Sequence, residues 1–173
     1  MNALTKRFDE SPVGTPPVSA PPVRSYTLHP GDIACADRGD RLETLLGSCI
    51  AVVLTDRART VGAMCHIVYS QPSLGSGGNQ TASADGAIDA MFVRLLVRSL
   101  NPRLCEAFVY GGGNMFPAVF KKQHVGQSNG RYVLDRLAAE GVRVVFVDIG
   151  GNAYRRLSWT IGQDMPAVVA VGV

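Results

Sequence analysis

Nucleophilic catalysis needs a reactive side chain with a base within hydrogen-bond reach, and one place in this sequence offers both. Gly47-Ser48-Cys49 is a small-residue turn that delivers a cysteine to the start of a continuous apolar run, Ile50-Ala51-Val52-Val53-Leu54. A sulfur there sits near the domain surface on rigid backbone. His66 lies in a second run, Val61-Gly62-Ala63-Met64-Cys65-His66-Ile67-Val68-Tyr69, and of the three histidines it alone falls in the expected core. If the polar stretch 55–60 is the turn of a hairpin, its middle lies near residue 57 or 58, with Cys49 and His66 about equally far from it. Antiparallel pairing then sets the two opposite or diagonal to each other. A thiol beside an imidazole can become a thiolate–imidazolium pair, the minimum for a cysteine hydrolase. The competing reading is a buried cysteine near a hydrogen-bonded core histidine, and on spacing alone it carries more weight. Cys65 adjoins His66 and so points to the other face of the strand.

Other residues of suitable type are less well placed. Cys35, Cys65 and Cys105 form no Cys-x-x-Cys pair with each other or with Cys49, which leaves a zinc ribbon or thioredoxin-like site without support. Free cysteines are most often small buried hydrophobes. Gly111-Gly112-Gly113-Asn114 follows a strand but lacks both the Gly-x-Gly-x-x-Gly order and the Lys-Ser/Thr ending of a P-loop, so it reads as a tight turn at a close backbone contact. Gly150-Gly151-Asn152 reads as another turn. Asp148 has no His or Glu at ligand spacing, and His29 and His124 read as exposed polar residues. No metal site is expected.

The elements that must hold such a pair follow from periodicity. Short runs at 32–36, 41–46, 50–54, 61–69, 104–110, 142–147, 154–160 and 167–171 have strand length and β-branched content. A helix over 84–100 is capped by Ser83 or Asp85, with Ile88, Met91, Phe92, Leu95, Leu96 and Leu100 on one face. A second helix covers 128–140 and stops at Gly141. The Gly/Ser/Pro-rich stretch 71–80 is a surface loop. Residues 1–25 hold five prolines without hydrophobic periodicity and read as a disordered tail ahead of a folded domain at 26–173. The expected fold is an α/β (α+β) domain, a mixed β-sheet with two main helices packed on it.

Composition sets the outer limits. A chain of 173 residues, 46% hydrophobic, is one domain able to bury a core. No stretch of about 20 apolar residues lacks charge, so no transmembrane helix is expected. The first residues show no secretory h-region, which points to the cytoplasm and free thiols. The net charge of +3 is scattered, without the clustered basic patch that nucleic-acid binding needs.

Several motifs, in order, resemble the CheD family of chemoreceptor glutamine deamidases. Thr44-Leu45-Leu46-Gly47-Ser48-Cys49-Ile50-Ala51-Val52 resembles its T-x-LGSCVAV signature, and Val61-Gly62-Ala63-Met64-Cys65-His66 its GGM-x-H strand. Phe108-Val109-Tyr110-Gly111-Gly112-Gly113-Asn114-Met115 is similar to its GGa-x-M segment, and Val125-Gly126-Gln127-Ser128-Asn129 to its IG-x-x-N helix start. Residues 148–156 resemble its D-x-GG-x-x-x-R turn. The resemblance implies an α/β sandwich whose Cys-His geometry is like that of toxin-type cysteine deamidases, with Cys49 as nucleophile and His66 as general base. It also implies a threonine that orients the imidazole. Thr44 is the nearest match; some members carry that threonine one place earlier, here Glu43, and Ser48 or a backbone carbonyl is a further alternative. The implied substrates are glutamines of methyl-accepting chemotaxis receptors, converted to glutamate through a Cys thioester without metal or organic cofactor. Methylesterase activity and docking to a CheC-type phosphatase are also implied for such a protein.

Overall fold

Both faces of one strand have to be covered, and the rest of the architecture does so. The computed structural model describes residues 23–71, 79–121 and 124–173. These form strands β1 (Ser25–Leu28), β2 (Ile33–Asp37), β3 (Arg41–Leu46), β4 (Ile50–Thr55) and β5 (Val61–Ile67), helix α1 (Ala84–Val97), strand β6 (Glu106–Gly111), helix α2 (Val125–Ala139), and strands β7 (Arg143–Ile149), β8 (Ala153–Thr160) and β9 (Ala167–Gly172). Every residue of β4 is buried, as expected of an apolar run with no polar alternation. Ile50, Val52 and Leu54 pack toward the helices, against Ile88, Met91, Leu95, Val133 and Leu137. Ala51 and Val53 face the other way, toward Leu42, Leu46, Leu157 and Trp159. Each fully buried large aliphatic side chain contributes about 1.5–3 kcal/mol.

The result is a sandwich of three layers. One sheet has the order β1-β3-β8-β9, the other β2-β5-β4-β6-β7, and both helices cover the outer face of the second. The β1/β3 and β6/β7 pairs are parallel and the rest antiparallel, so the strands are divided between two mixed sheets. The α/β sandwich with two main helices stands as expected.

Differences from the expected elements have local causes. Helix α1 stops at Val97 because Ser99 takes a positive φ of 61° and Leu100 N–H turns back to Leu95 O. Ile88, Met91 and Leu95 fill the core while Leu96 lies outside the buried stripe and is exposed. Helix α2 starts at Val125, three residues early, because the His124 side chain caps it by accepting from Gln127 N–H at 3.3 Å. Strand β1 was not expected as an element. Of the expected tail, residues 1–22 lie outside the described residues, while Arg24 N–H donates to Asp40 Oδ1 at 3.0 Å and Ser25 opens β1. Residues 72–78 of the expected loop also lie outside them.

The two sheets close over Trp159, which is fully buried and donates Nε1–H to Gln163 O at 3.1 Å. Gly62 makes room for it: a Cβ there would stand 2.3 Å from Trp159 Cζ3. Gly62→Ala is therefore expected to lower stability by about 1–3 kcal/mol in urea unfolding; an unchanged midpoint would mean that the indole yields without cost.

Candidate active site

Strand register decides where the cysteine and histidine fall. In the β4/β5 hairpin Ile50 pairs with Ile67 and Ala51 with His66. Cys49, one residue before β4, is thus diagonal to His66 across the pair. Cys49 packs against the apolar cluster between the sheets. His66 faces the same layer, since its ring meets Thr44 of the other sheet. Cys65 points to the helices and is fully buried, and burial pushes its thiol up to about 12. Cys105 also lies on the helix side, pushed up to about 11 chiefly by burial.

The backbone of His66 is clamped by the residues that follow β1. Gly31 N–H donates to His66 O at 2.8 Å and His66 N–H to Asp32 O at 3.0 Å. The ring is fixed from the other sheet. Thr44 Oγ1 lies 2.8 Å from His66 Nδ1 and donates to Leu28 O at 2.8 Å. A hydroxyl has one hydrogen and a carbonyl can only accept. With that hydrogen committed to Leu28, Nδ1 must be the donor toward Thr44, and Nε2 carries the lone pair. Nε2 is buried without a hydrogen-bond partner. Burial pushes the imidazole below its ordinary 6.5; the Leu28 carbonyl and the Asp32 carboxylate pull the other way. Burial alone pushes the Cys49 thiol above its ordinary value. Burial thus favours the neutral thiol and the neutral imidazole, and His66 Nε2 makes no hydrogen bond to Cys49.

Of the other candidates for the third position, a backbone carbonyl, that of Leu28, acts on the imidazole as well, while Glu43 and Ser48 lie elsewhere. Strand alternation turns Glu43 away from Thr44, and its carboxylate accepts from Thr27 Oγ1 at 3.1 Å and pairs with Arg41 at 3.2 Å. Ser48 lines an apolar cavity of about 370 Å³ together with Met115, Phe116, Phe120 and Val125. The sequence reading missed Leu28 and the 28–32 turn. The available signal was Pro30-Gly31-Asp32, a turn marker directly ahead of an apolar run.

The turn that carries Cys49 is held by the triglycine 111–113 that ends β6. Gly112 N–H donates to Cys49 O at 2.8 Å and Gly113 N–H to Gly47 O at 2.9 Å. Gly111 has φ +113°, and a Cβ on it would lie 2.1 Å from Cys49 O. The close backbone contact expected of this motif is the contact with the cysteine turn. Among the described residues no group of three or more His, Cys, Asp or Glu could hold a metal ion.

Known proteins of similar sequence point one way. The family model described as CheD chemotactic sensory transduction matches residues 70–165, a span that begins after both Cys49 and His66. A protein of Albidiferax ferrireducens named probable chemoreceptor glutamine deamidase CheD 2 is 33% identical over 142 residues, covering 79% of this chain and 81% of that protein. A Methanococcus vannielii protein named probable chemoreceptor glutamine deamidase CheD is 33% identical over 72% of this chain and 81% of its own length. Among solved structures, a Neisseria meningitidis protein of family model DUF152 has a TM-score of 0.42 at 16% identity, covering 73% of this chain and 62% of that one.

The tautomer is directly measurable. Nitrogen-15 NMR of His66 is expected to show a protonated Nδ1 and a bare Nε2, with the preference lost in Thr44→Val and kept in Thr44→Ser. A bare Nδ1 in the wild type would contradict the Leu28–Thr44–His66 chain.

Proposed function

Because the chain belongs to the CheD family of chemotactic sensory transduction proteins, we propose that it is a protein-glutamine deamidase acting on methyl-accepting chemotaxis receptors, with Cys49 as nucleophile, His66 as base and Thr44 orienting the imidazole. The observation that carries the site assignment is the committed Thr44 hydroxyl, which leaves Nε2 as the free base in the layer that Cys49 shares.

The chemistry is acyl transfer. Nε2 takes the thiol proton as Cys49 Sγ attacks the carboxamide carbon of a glutamine side chain. The imidazolium returns that proton to the departing nitrogen, ammonia leaves and a thioester remains. Neutral His66 then takes a proton from water, hydroxide adds to the thioester carbonyl, and glutamate and the free thiol are released. No step calls for a metal or an organic cofactor. A glutamate methyl ester presents the same carbonyl, so the same thioester route supports receptor methylesterase activity. Receptor signalling domains lie in the cytoplasm, and this reading places the protein there; no helix among the described residues is long and apolar enough to cross a membrane. The second reading, from the family resemblance, is a regulatory protein that binds a CheC-type phosphatase.

Incubation with a receptor cytoplasmic fragment, read by mass spectrometry, is expected to give glutamine-to-glutamate shifts that vanish with Cys49→Ala. His66→Ala should cost about 10²–10⁴-fold. Absence of shifts with a folded wild-type protein would favour the regulatory reading.

The pH dependence follows from the direction of the His66 shift. The base must be neutral, and its pKa is lowered, so kcat/KM should fall only as pH drops through a value below 6.5. Alkylation of Cys49 by iodoacetamide should keep rising above pH 9, because burial holds the thiol protonated. A rate plateau at neutral pH would instead reveal a preformed ion pair.

A further inference from the structure

Among the described residues, four buried side-chain atoms have no hydrogen-bond partner: His66 Nε2, Tyr110 OH, and Nε and Nη1 of Arg155. All lie in the layer between the sheets, at the end that holds Cys49. Cross-strand pairing sets His66, Ala51, Tyr110 and Asp148 in one row of the second sheet. Arg155 reaches this layer from the first sheet, where it pairs in register with Leu46, the residue before Gly47-Ser48-Cys49. Its Nη2 donates to Asp148 Oδ1 at 2.8 Å. Among the described residues this is the one ion pair whose partners stand in strands of different sheets.

Stability does not explain this arrangement. Arg155 is only 6% exposed, and two of its donor nitrogens are unpaired. A buried ion pair is often matched or bettered by well-packed apolar side chains of similar volume, and unpaired buried donors add to its cost. The placement of such a pair between the sheets, at the end of the layer that holds Cys49, calls for a reason beyond packing.

The backbone around the pair supplies that reason. Asp148 is followed by the turn that leads into β8. In that turn Gly150 N–H donates to Gly111 O at 2.9 Å, and Gly151 O accepts from Asn114 N–H at 2.8 Å. Gly112 and Gly113 in turn hold the backbone of Cys49 and Gly47. Three turns are thus bonded in series, and the Arg155–Asp148 pair clamps the two strands that flank the outermost one, β7 and β8; β8 lies beside β3, which leads into the cysteine turn itself.

We propose that Arg155, through Asp148, is a positioning residue that fixes the register of the Cys49 turn against His66. The catalytic part of this inference rests on the deamidase reading; the positioning of the thiol does not.

Asp148→Leu/Arg155→Met, which removes both charges, and Arg155→Lys separate positioning from support of the fold. In the double variant the Tm is expected to be unchanged or raised, while kcat on a receptor fragment falls about 10²-fold, as ångström-scale misplacement of a reacting group does, with KM unchanged. Arg155→Lys keeps the single contact to Asp148 and should keep most of the wild-type rate. Iodoacetamide alkylation reads the same geometry without a receptor. His66→Ala should slow alkylation of Cys49 in the wild-type background and have no further effect in the double-variant background. A lowered Tm or failure to fold in the double variant would make the pair a structural strut and overturn the proposal, as would wild-type kcat or a His66 effect that persists in that background. If the wild type deamidates no receptor, the functional reading fails, and the alkylation cycle still decides the positioning role.

Discussion

One hydroxyl hydrogen sets the state of the whole site. Thr44 has a single proton to give, and the Leu28 carbonyl takes it. That forces His66 to donate from Nδ1 and leaves Nε2 bare, which is the form a general base must have. The arrangement requires three strands at once. Strand β1 supplies the carbonyl, β3 the hydroxyl and β5 the ring, and they belong to two different sheets. The stacking of the sheets is therefore a condition of the chemistry as well as of stability.

Burial acts on both partners of the proposed dyad in the same sense. It raises the thiol and lowers the imidazole, so each is held in its neutral form. In the proposed reaction the charged pair would form only as the thiol proton moves, when an acyl carbon is present to receive the sulfur. Such a site combines a quiet resting thiol with a base already in the correct tautomer. Precision of placement becomes the controlling quantity, and close backbone contacts hold the cysteine turn. A Cβ on Gly111 would stand 2.1 Å from Cys49 O, one on Gly112 2.7 Å from Gly126 O, and one on Gly113 2.6 Å from Ala153 O. The Asp148–Arg155 pair extends the same series of turns to the opposite sheet.

The layers divide the labour. The helix side of β4 is wholly apolar and supplies the core energy, with Cys65 and Cys105 as ordinary small core residues. The layer between the sheets is apolar around Trp159 and becomes polar toward the end that carries Cys49, where Thr44, His66, Tyr110 and Arg155 gather. Polar groups buried at one end of an apolar layer are costly, and they are concentrated at the end that carries Cys49.

By itself the sequence determined what is local. Apolar runs of strand length, the helix stripe of Ile88, Met91 and Leu95, and a turn midway between Cys49 and His66 were all readable from periods of two and 3.6 residues. That Cys49 and His66 stand opposite or diagonal to each other followed from counting along a hairpin, and the register made them diagonal. Even the inward direction of Thr44 was present in the alternation Leu42, Thr44, Leu46, which leaves Glu43 outside. Only the tertiary structure decided what those side chains meet. The bond from Thr44 to Leu28 spans 16 residues, that from Thr44 to His66 spans 22, and both couple strands that are not joined by one hairpin. The first arises from the parallel pairing of β1 with β3 within one sheet and the second from the stacking of that sheet on the other, and no periodicity within a single strand encodes which atoms will face each other in either case.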